Sequence, residues 1–160
     1  MNIAGARSLL FVPGHRPDRF AKAVAAGADA VILDLEDAVG ADQKATAREH
    51  IRDWLDAGNP GVVRINAPGT PWYDEDIAMV AKRAGAVLVP KADDPAVLGA
   101  IAALLPAGGG IIPLIETAAG VLDAVAVCAA PAVVRPAFGA VDLAVRLGVD
   151  HRSRDALRHA

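Results

Sequence analysis

The chain has 160 residues, 54% of them hydrophobic, and 36 alanines and 15 glycines stand against 4% aromatic residues. That is one domain's worth of mostly small side chains, long enough for a core without disulfide or metal staples, and with 22% charged residues it is too apolar to be disordered. A net charge of −3 argues against nucleic acid as the main partner, and the single cysteine, Cys128, excludes an internal disulfide and a Cys-rich metal site.

The first apolar run, residues 8–13 (Ser-Leu-Leu-Phe-Val-Pro), reads as a strand, and residues 18–26 read as a helix closed by Gly27. A second strand follows at 30–35, then a helix capped by Asp42 with Ile51, Trp54 and Leu55 on one face, stopping at Gly58. Residues 61–65 form a third strand, and Asp74 is placed to cap a helix over 75–84 that ends at Gly85. Strand four covers 86–90. Asp94-Pro95 then reads as N-cap and first helical residue, with Val97, Ile101, Leu104 and Leu105 as the inner stripe. Strand five covers 111–115, Thr117 caps a helix over 118–129 in which Cys128 is expected to be a buried inert thiol, and a weaker sixth strand lies at 133–138. The longest soft run, 117–134, contains Asp123 and Pro131 and falls short of the ~18–20 apolar residues of a membrane span. The N-terminus shows no secretory pattern, so the cytoplasm is the expected compartment.

Each strand is nearly continuous in apolar residues, as strands buried on both faces are. Strand starts lie 22 to 31 residues apart, one βα unit each. Such a repeat permits an open doubly wound sheet or a (β/α)8 barrel. No glycine fingerprint follows the first strand, where Pro13-Gly14-His15-Arg16-Pro17 stands instead, and Gly108-Gly109-Gly110 precedes a strand and lacks the Lys-Ser/Thr of a phosphate loop. Nearly every strand ends in polar residues: Asp34, Glu36 and Asp37 after strand two, Arg64 and Asn66 at strand three, Lys91 after strand four, Glu116 and Thr117 after strand five, and Gly139-Ala140-Val141-Asp142 after strand six. A barrel gathers those ends on one rim within reach of one small ligand, whereas an open sheet spreads them, and this favours the barrel.

Residue types then suggest the chemistry. Glu116 and Asp142 offer two hard carboxylates from adjacent strand ends, a donor set suited to Mg²⁺ with waters and substrate oxygens; the alternative is a helix-N-terminal carboxylate beside the Thr117 cap and a plain N-cap. Arg64 lies inside an apolar strand and must be paired, either by Glu36 or Asp37 or by a substrate carboxylate held bidentately, and the two readings are compatible. Lys91 is either an imine-forming lysine or an ion-pair partner. His15 touches substrate or solvates a turn.

Six blocks in order carry a family resemblance: residues 7–14 (Arg-Ser-Leu-Leu-Phe-Val-Pro-Gly), 27–39 (Gly-Ala-Asp-Ala-Val-Ile-Leu-Asp-Leu-Glu-Asp-Ala-Val), 63–66 (Val-Arg-Ile-Asn), 89–91 (Val-Pro-Lys), 113–118 (Pro-Leu-Ile-Glu-Thr-Ala) and 138–144 (Phe-Gly-Ala-Val-Asp-Leu-Ala). Together they resemble the HpcH/HpaI aldolase and citrate lyase family, in particular its citrate lyase beta-chain branch. The resemblance implies a TIM (β/α)8 barrel with Mg²⁺ held by Glu116 and Asp142, and a 2-oxo or 2-hydroxy carboxylate bound by Arg64, Glu116, Gly139 and Ala140. Arg64, Glu36 and Asp37 are the expected catalytic residues. The implied reaction cleaves or forms a citryl-, citramalyl- or malyl-CoA type thioester, giving an acyl-CoA and a 2-oxo acid. The alternatives are a metal-dependent aldolase acting on 2-oxo acids without CoA, or a non-catalytic subunit. Family members are often trimers or hexamers. A closed barrel needs eight units and typically ~250 residues, so the expectation for 1–160 is a single barrel domain with about six βα units. Its last two units and C-terminal segment, which in related lyases supplies an acidic proton-transfer residue, are expected to be absent.

Overall fold

The computed structural model describes residues 2–158. Six strands form one parallel sheet: β1 (Leu9–Pro13), β2 (Ala30–Asp34), β3 (Val62–Arg64), β4 (Ala86–Val89), β5 (Gly110–Ile115) and β6 (Ala137–Phe138). Their order in the sheet is β1-β2-β3-β4-β5-β6, each strand pairing parallel with the next. A doubly wound sheet reverses its strand order at a switch point. Strictly sequential order is instead how a (β/α) barrel is wound, so this is a partial barrel of six βα units. Within residues 2–158, β1 and β6 are the two edge strands.

The helices between the strands are α1 (Phe20–Ala25), α2 (Lys44–Asp56), α3 (Tyr73–Val80), α4 (Pro95–Leu104), α5 (Ala118–Leu122) and α6 (Ala124–Cys128), and α7 (Ala140–Leu147) and α8 (Arg154–Leu157) follow β6. None of the helices among the described residues is long and apolar enough to cross a membrane. Period-two alternation divides the strand side chains between two cores. Val31, Leu33, Val63, Val87, Val89, Ile111 and Ile115 face the helices, where they meet Phe20, Ile51, Leu98 and Ile101. Ala30, Ile32, Val62, Ala86, Leu88, Ile112 and Leu114 face the concave side, with Leu9 and Ala137 against them. Residues on both sets are buried, which is why the strands read as continuous apolar runs.

Local signals held where a side chain or a left-handed turn is required. Asp94 caps α4 by accepting from the Ala96 N–H at 2.8 Å, and Thr117 caps α5 by accepting from the Gly120 N–H at 2.9 Å. Gly27 and Gly58 take φ values of +80° and +79°, the left-handed conformation that ends a helix at little cost for glycine.

Other expectations are corrected. Asp42 lies within a 3-10 turn, Ala41–Gln43, that precedes α2, and Asp74 sits in the first turn of α3; neither side chain caps a helix. The inner face of α4 buries Leu98 and Ile101 while Leu104 stays 53% exposed. The helix expected over 118–129 breaks at Asp123 into α5 and α6, so Val127 takes the buried position and Cys128 is exposed rather than buried.

Candidate active site

The alternation that builds the concave core also aims the polar strand ends. Ala30, Ile32 and Asp34 share one face of β2, Val62 and Arg64 share one face of β3, and Ile112, Leu114 and Glu116 continue one face through β5. Register then sets Asp34 opposite Arg64. These residues converge at the C-terminal rim of the sheet, where barrel folds place their sites.

Asp34 is fully buried and holds the Arg64 guanidinium bidentately, accepting from Nε at 2.7 Å and from Nη2 at 2.6 Å. The same carboxylate accepts the backbone N–H groups of Glu36 at 2.8 Å and Ala38 at 3.1 Å. Four donors thus fix Asp34 and, through it, the plane of Arg64. The remaining terminal nitrogen, Nη1, lies 3.3 Å from Asp37 Oδ2 and 3.2 Å from Glu36 Oε2, the latter without hydrogen-bond alignment. One face of the guanidinium lies against the Phe11 ring, 5.0 Å from its centroid. Burial opposes the charge of Arg64, but the hydrogen bonds and charge of Asp34, with Glu36 and Asp37, outweigh it and raise its pKa.

Lys91 joins this cluster to Glu116. It is one of two non-glycine residues at positive φ among the described residues, at +50°, a strained conformation that persists only where its surroundings enforce it. That turn aims its backbone N–H at Glu116 Oε1, 2.9 Å away, while Nζ donates to Glu36 Oε1 at 2.6 Å. Burial works against the Lys91 ammonium, yet Glu36, Glu116 and Asp37 hold its pKa above the ordinary value. The side chain is therefore an ion-pair partner, and an imine, which needs the neutral amine, is disfavoured.

Glu116 is 3% exposed, and burial pushes its pKa to about 7; the Lys91 N–H opposes the shift, while Glu36 and Asp142 add to it. The carboxylate abuts Gly139, where a Cβ would stand 2.6 Å from both Cβ and Oε2 of Glu116, so only glycine leaves it room. Asp142, in the first turn of α7, faces the same cavity. That cavity has a volume of about 510 Å³; Asp37, Arg64, Glu116, Gly139, Ala140 and Asp142 line its polar side, and Phe11 and Leu114 are among its apolar walls.

Six of the seven residues to which the resemblance assigns a role therefore line one cavity. Glu36 lies behind it, buried between Arg64 and Lys91. His15 is half-buried in the β1–α1 loop and does not line the cavity. The principal partner of Arg64 is Asp34, which the resemblance assigns no role, although its inward place at the end of β2 is legible from the alternation of residues 30–34. No group of three or more His, Cys, Asp and Glu residues placed to hold a metal occurs among the described residues. The donor set is two carboxylates, Glu116 and Asp142, on one cavity wall. The raised pKa of Glu116, caused by burial and like charge, is the strain that a divalent cation relieves, and hard oxygens with open coordination positions suit Mg²⁺, so the residues fit such an ion.

The sequence profile of the HpcH/HpaI aldolase/citrate lyase family matches residues 7–160. A citrate lyase subunit beta-like protein of Mycobacterium tuberculosis is 43% identical over 157 residues, covering 94% of this chain and 55% of the relative. A (3S)-malyl-CoA thioesterase of Cereibacter sphaeroides is 38% identical over 154 residues, covering 91% and 53%. The chain thus spans about half the length of these curated relatives. Among solved structures, protein CitE of M. tuberculosis in complex with magnesium, acetoacetate and coenzyme A superimposes with a TM-score of 0.83 at 41% identity, covering 98% of this chain and 60% of that one. Strand order, rim chemistry and these similarities agree, and the chain belongs to the HpcH/HpaI aldolase/citrate lyase family.

Proposed function

We propose that this site serves a Mg²⁺-assisted carbon–carbon lyase that cleaves, or forms, a malyl-, citramalyl- or citryl-CoA type thioester, giving an acyl-CoA and a 2-oxo acid. The observation that carries this reading is the cavity in which the Glu116 and Asp142 carboxylates stand beside the half-buried Arg64 cation. Glu116 and Asp142 would hold the metal, which when bound lowers the cost of negative charge on a substrate oxygen.

The chain's own residues have separate tasks. Arg64 binds the substrate carboxylate through Nη1 and the open side of its fork, because Asp34 already occupies Nε and Nη2. Asp37, which is exposed and only 3.3 Å from Nη1, gives way to the incoming carboxylate. Glu36, held by Lys91, keeps negative charge behind Arg64 and so keeps its orientation. Gly139 and Ala140 open α7 and wall the substrate beside Glu116. In the cleavage direction the substrate hydroxyl loses its proton and the adjacent C–C bond breaks. The oxygen becomes the carbonyl of the 2-oxo acid, and the electron pair leaves as an acyl-CoA enolate that takes up a proton.

The similarity to a (3S)-malyl-CoA thioesterase supports a second reading, hydrolysis of the thioester at the same site. One experiment separates them. With malyl-CoA and Mg²⁺, lyase action yields a 2-oxo acid, trapped as its phenylhydrazone, and no free thiol. Hydrolysis yields free CoA thiol, read with a thiol reagent, and no 2-oxo acid. A 2-oxo acid formed from CoA-free substrates alone supports the aldolase reading instead. Cleavage that survives both EDTA and Glu116→Gln overturns the metal-assisted proposal.

A further inference from the structure

Lys44 is a buried cation outside the cavity. It opens α2, is 6% exposed, and no carboxylate lies within 4 Å of its ammonium among the described residues. Burying such a charge is costly unless hydrogen bonds and dipoles satisfy it. Here Nζ donates to two backbone carbonyls, Leu35 O and Glu36 O, each at 2.7 Å, and stands 5.1 Å from the centroid of the Trp72 ring. A methionine fills similar volume without that cost, so packing alone does not account for a lysine.

The two carbonyls belong to the turn where β2 ends. The backbone ladder continues one residue beyond Asp34, with the Leu35 N–H donating to Arg64 O at 2.8 Å. Beyond that point Glu36 O takes the Val39 N–H at 3.1 Å, and Lys44 is the donor that reaches Leu35 O. Buried carbonyls need a donor, and one ammonium meets both of these. Glu36 is consequently held from two sides, its main chain by Lys44 and its carboxylate by Lys91. Asp37 follows directly. The aromatic contact extends the clamp to Trp72, at the start of α3, so α2, the β2–α2 turn and the β3–α3 connection meet at one side chain.

We propose that Lys44 is a positioning residue, which holds the β2–α2 turn through the Leu35 and Glu36 carbonyls so that Glu36 presents a fixed carboxylate to Arg64. It touches neither the cavity nor the carboxylates assigned to the metal. The proposal rests on the reading of Arg64 as the carboxylate-binding group. Without the clamp, the turn must be ordered at each binding event, and ordering one or two residues is worth about tenfold or more in affinity.

The test uses Lys44→Met, which keeps an unbranched apolar stem beside Trp72 and removes the ammonium, and Lys44→Gln, which keeps a shorter donor and serves if the first variant does not fold. Two measurements are made on the 160-residue chain. The first is amide hydrogen exchange, which is expected to rise at least tenfold across residues 35–39 while β4 and β5 keep their protection. The second is calorimetric titration with Mg²⁺ alone and then with pyruvate in saturating Mg²⁺. Pyruvate affinity is expected to fall about tenfold while Mg²⁺ affinity changes less than twofold. Unchanged exchange over 35–39, or parallel losses of Mg²⁺ and pyruvate binding, overturns the proposal, because a merely structural lysine affects all parts of the site alike. A wild-type chain that binds neither ligand overturns the functional reading instead, and the exchange result then decides the role of Lys44 alone.

Discussion

Glu116→Gln separates the cost of a buried charge from the loss of a metal ligand. Glutamine keeps the shape and an oxygen to accept the Lys91 N–H at 2.9 Å, but never ionises. Glu116 has its pKa raised from 4.5 to about 7 by burial, with Glu36 and Asp142 adding to the shift. A carboxyl whose folded-state pKa lies above its unfolded value holds its proton more tightly when folded. Its ionisation therefore destabilises the fold progressively as pH rises from the unfolded pKa to the folded one. A shift of this size corresponds to roughly 3 kcal/mol at pH 8 and to less than ~1 kcal/mol at pH 5. The advantage of the metal-free Glu116→Gln chain over wild type should accordingly grow by roughly 2–3 kcal/mol between pH 5 and pH 8. Urea unfolding of both chains in EDTA at the two pH values measures this. In saturating Mg²⁺ at pH 8 the difference should shrink or reverse, since only wild type gains linkage stabilisation. A stability difference independent of pH would refute the reasoning, because the penalty would not come from the carboxylate charge.

Three further substitutions probe the framework around that group. Gly139→Ala places a Cβ 2.6 Å from Glu116 Cβ and Oε2; it should cost about 1–3 kcal/mol by overpacking and weaken Mg²⁺ binding, and an unchanged melting temperature with unchanged titration would count against the close packing. Arg64→Met strips Asp34, fully buried, of both its guanidinium bonds. The loss should be about 3–5 kcal/mol in urea unfolding, with partial recovery when Asp34→Asn is added, and no coupling between the two changes would contradict the assigned pair. Lys91→Gly and Lys91→Ala remove the same ion pair but differ at a backbone position with φ of +50°. The glycine variant should be the more stable by ~0.5–1 kcal/mol in thermal unfolding, and the reverse order would argue against left-handed backbone at this residue.

The strand succession and much of the rim chemistry are legible in the residues alone. Runs such as residues 30–34 and 111–115 are apolar on both faces, and that pattern is local: it survives without knowing what each strand packs against. Arg64 inside an apolar strand and Glu116 at the end of another were conspicuous for the same reason, since a buried charge needs a partner wherever it lies. Which partner it meets depends on contacts far apart in the chain. Asp34 meets Arg64 across 30 residues, Lys91 meets Glu36 across 55, and the Lys91 N–H meets Glu116 across 25. Those meetings depend on parallel register and on one left-handed turn at Lys91, neither of which the residue types encode singly. The same limit applies to Cys128, which a break at Asp123 turns outward, and to Lys44, whose role arises because the β2–α2 turn brings two buried carbonyls within reach of its ammonium. Periodicity fixes which way a side chain points along its own strand or helix; what it meets there is set by the long-range pairing of the sheet.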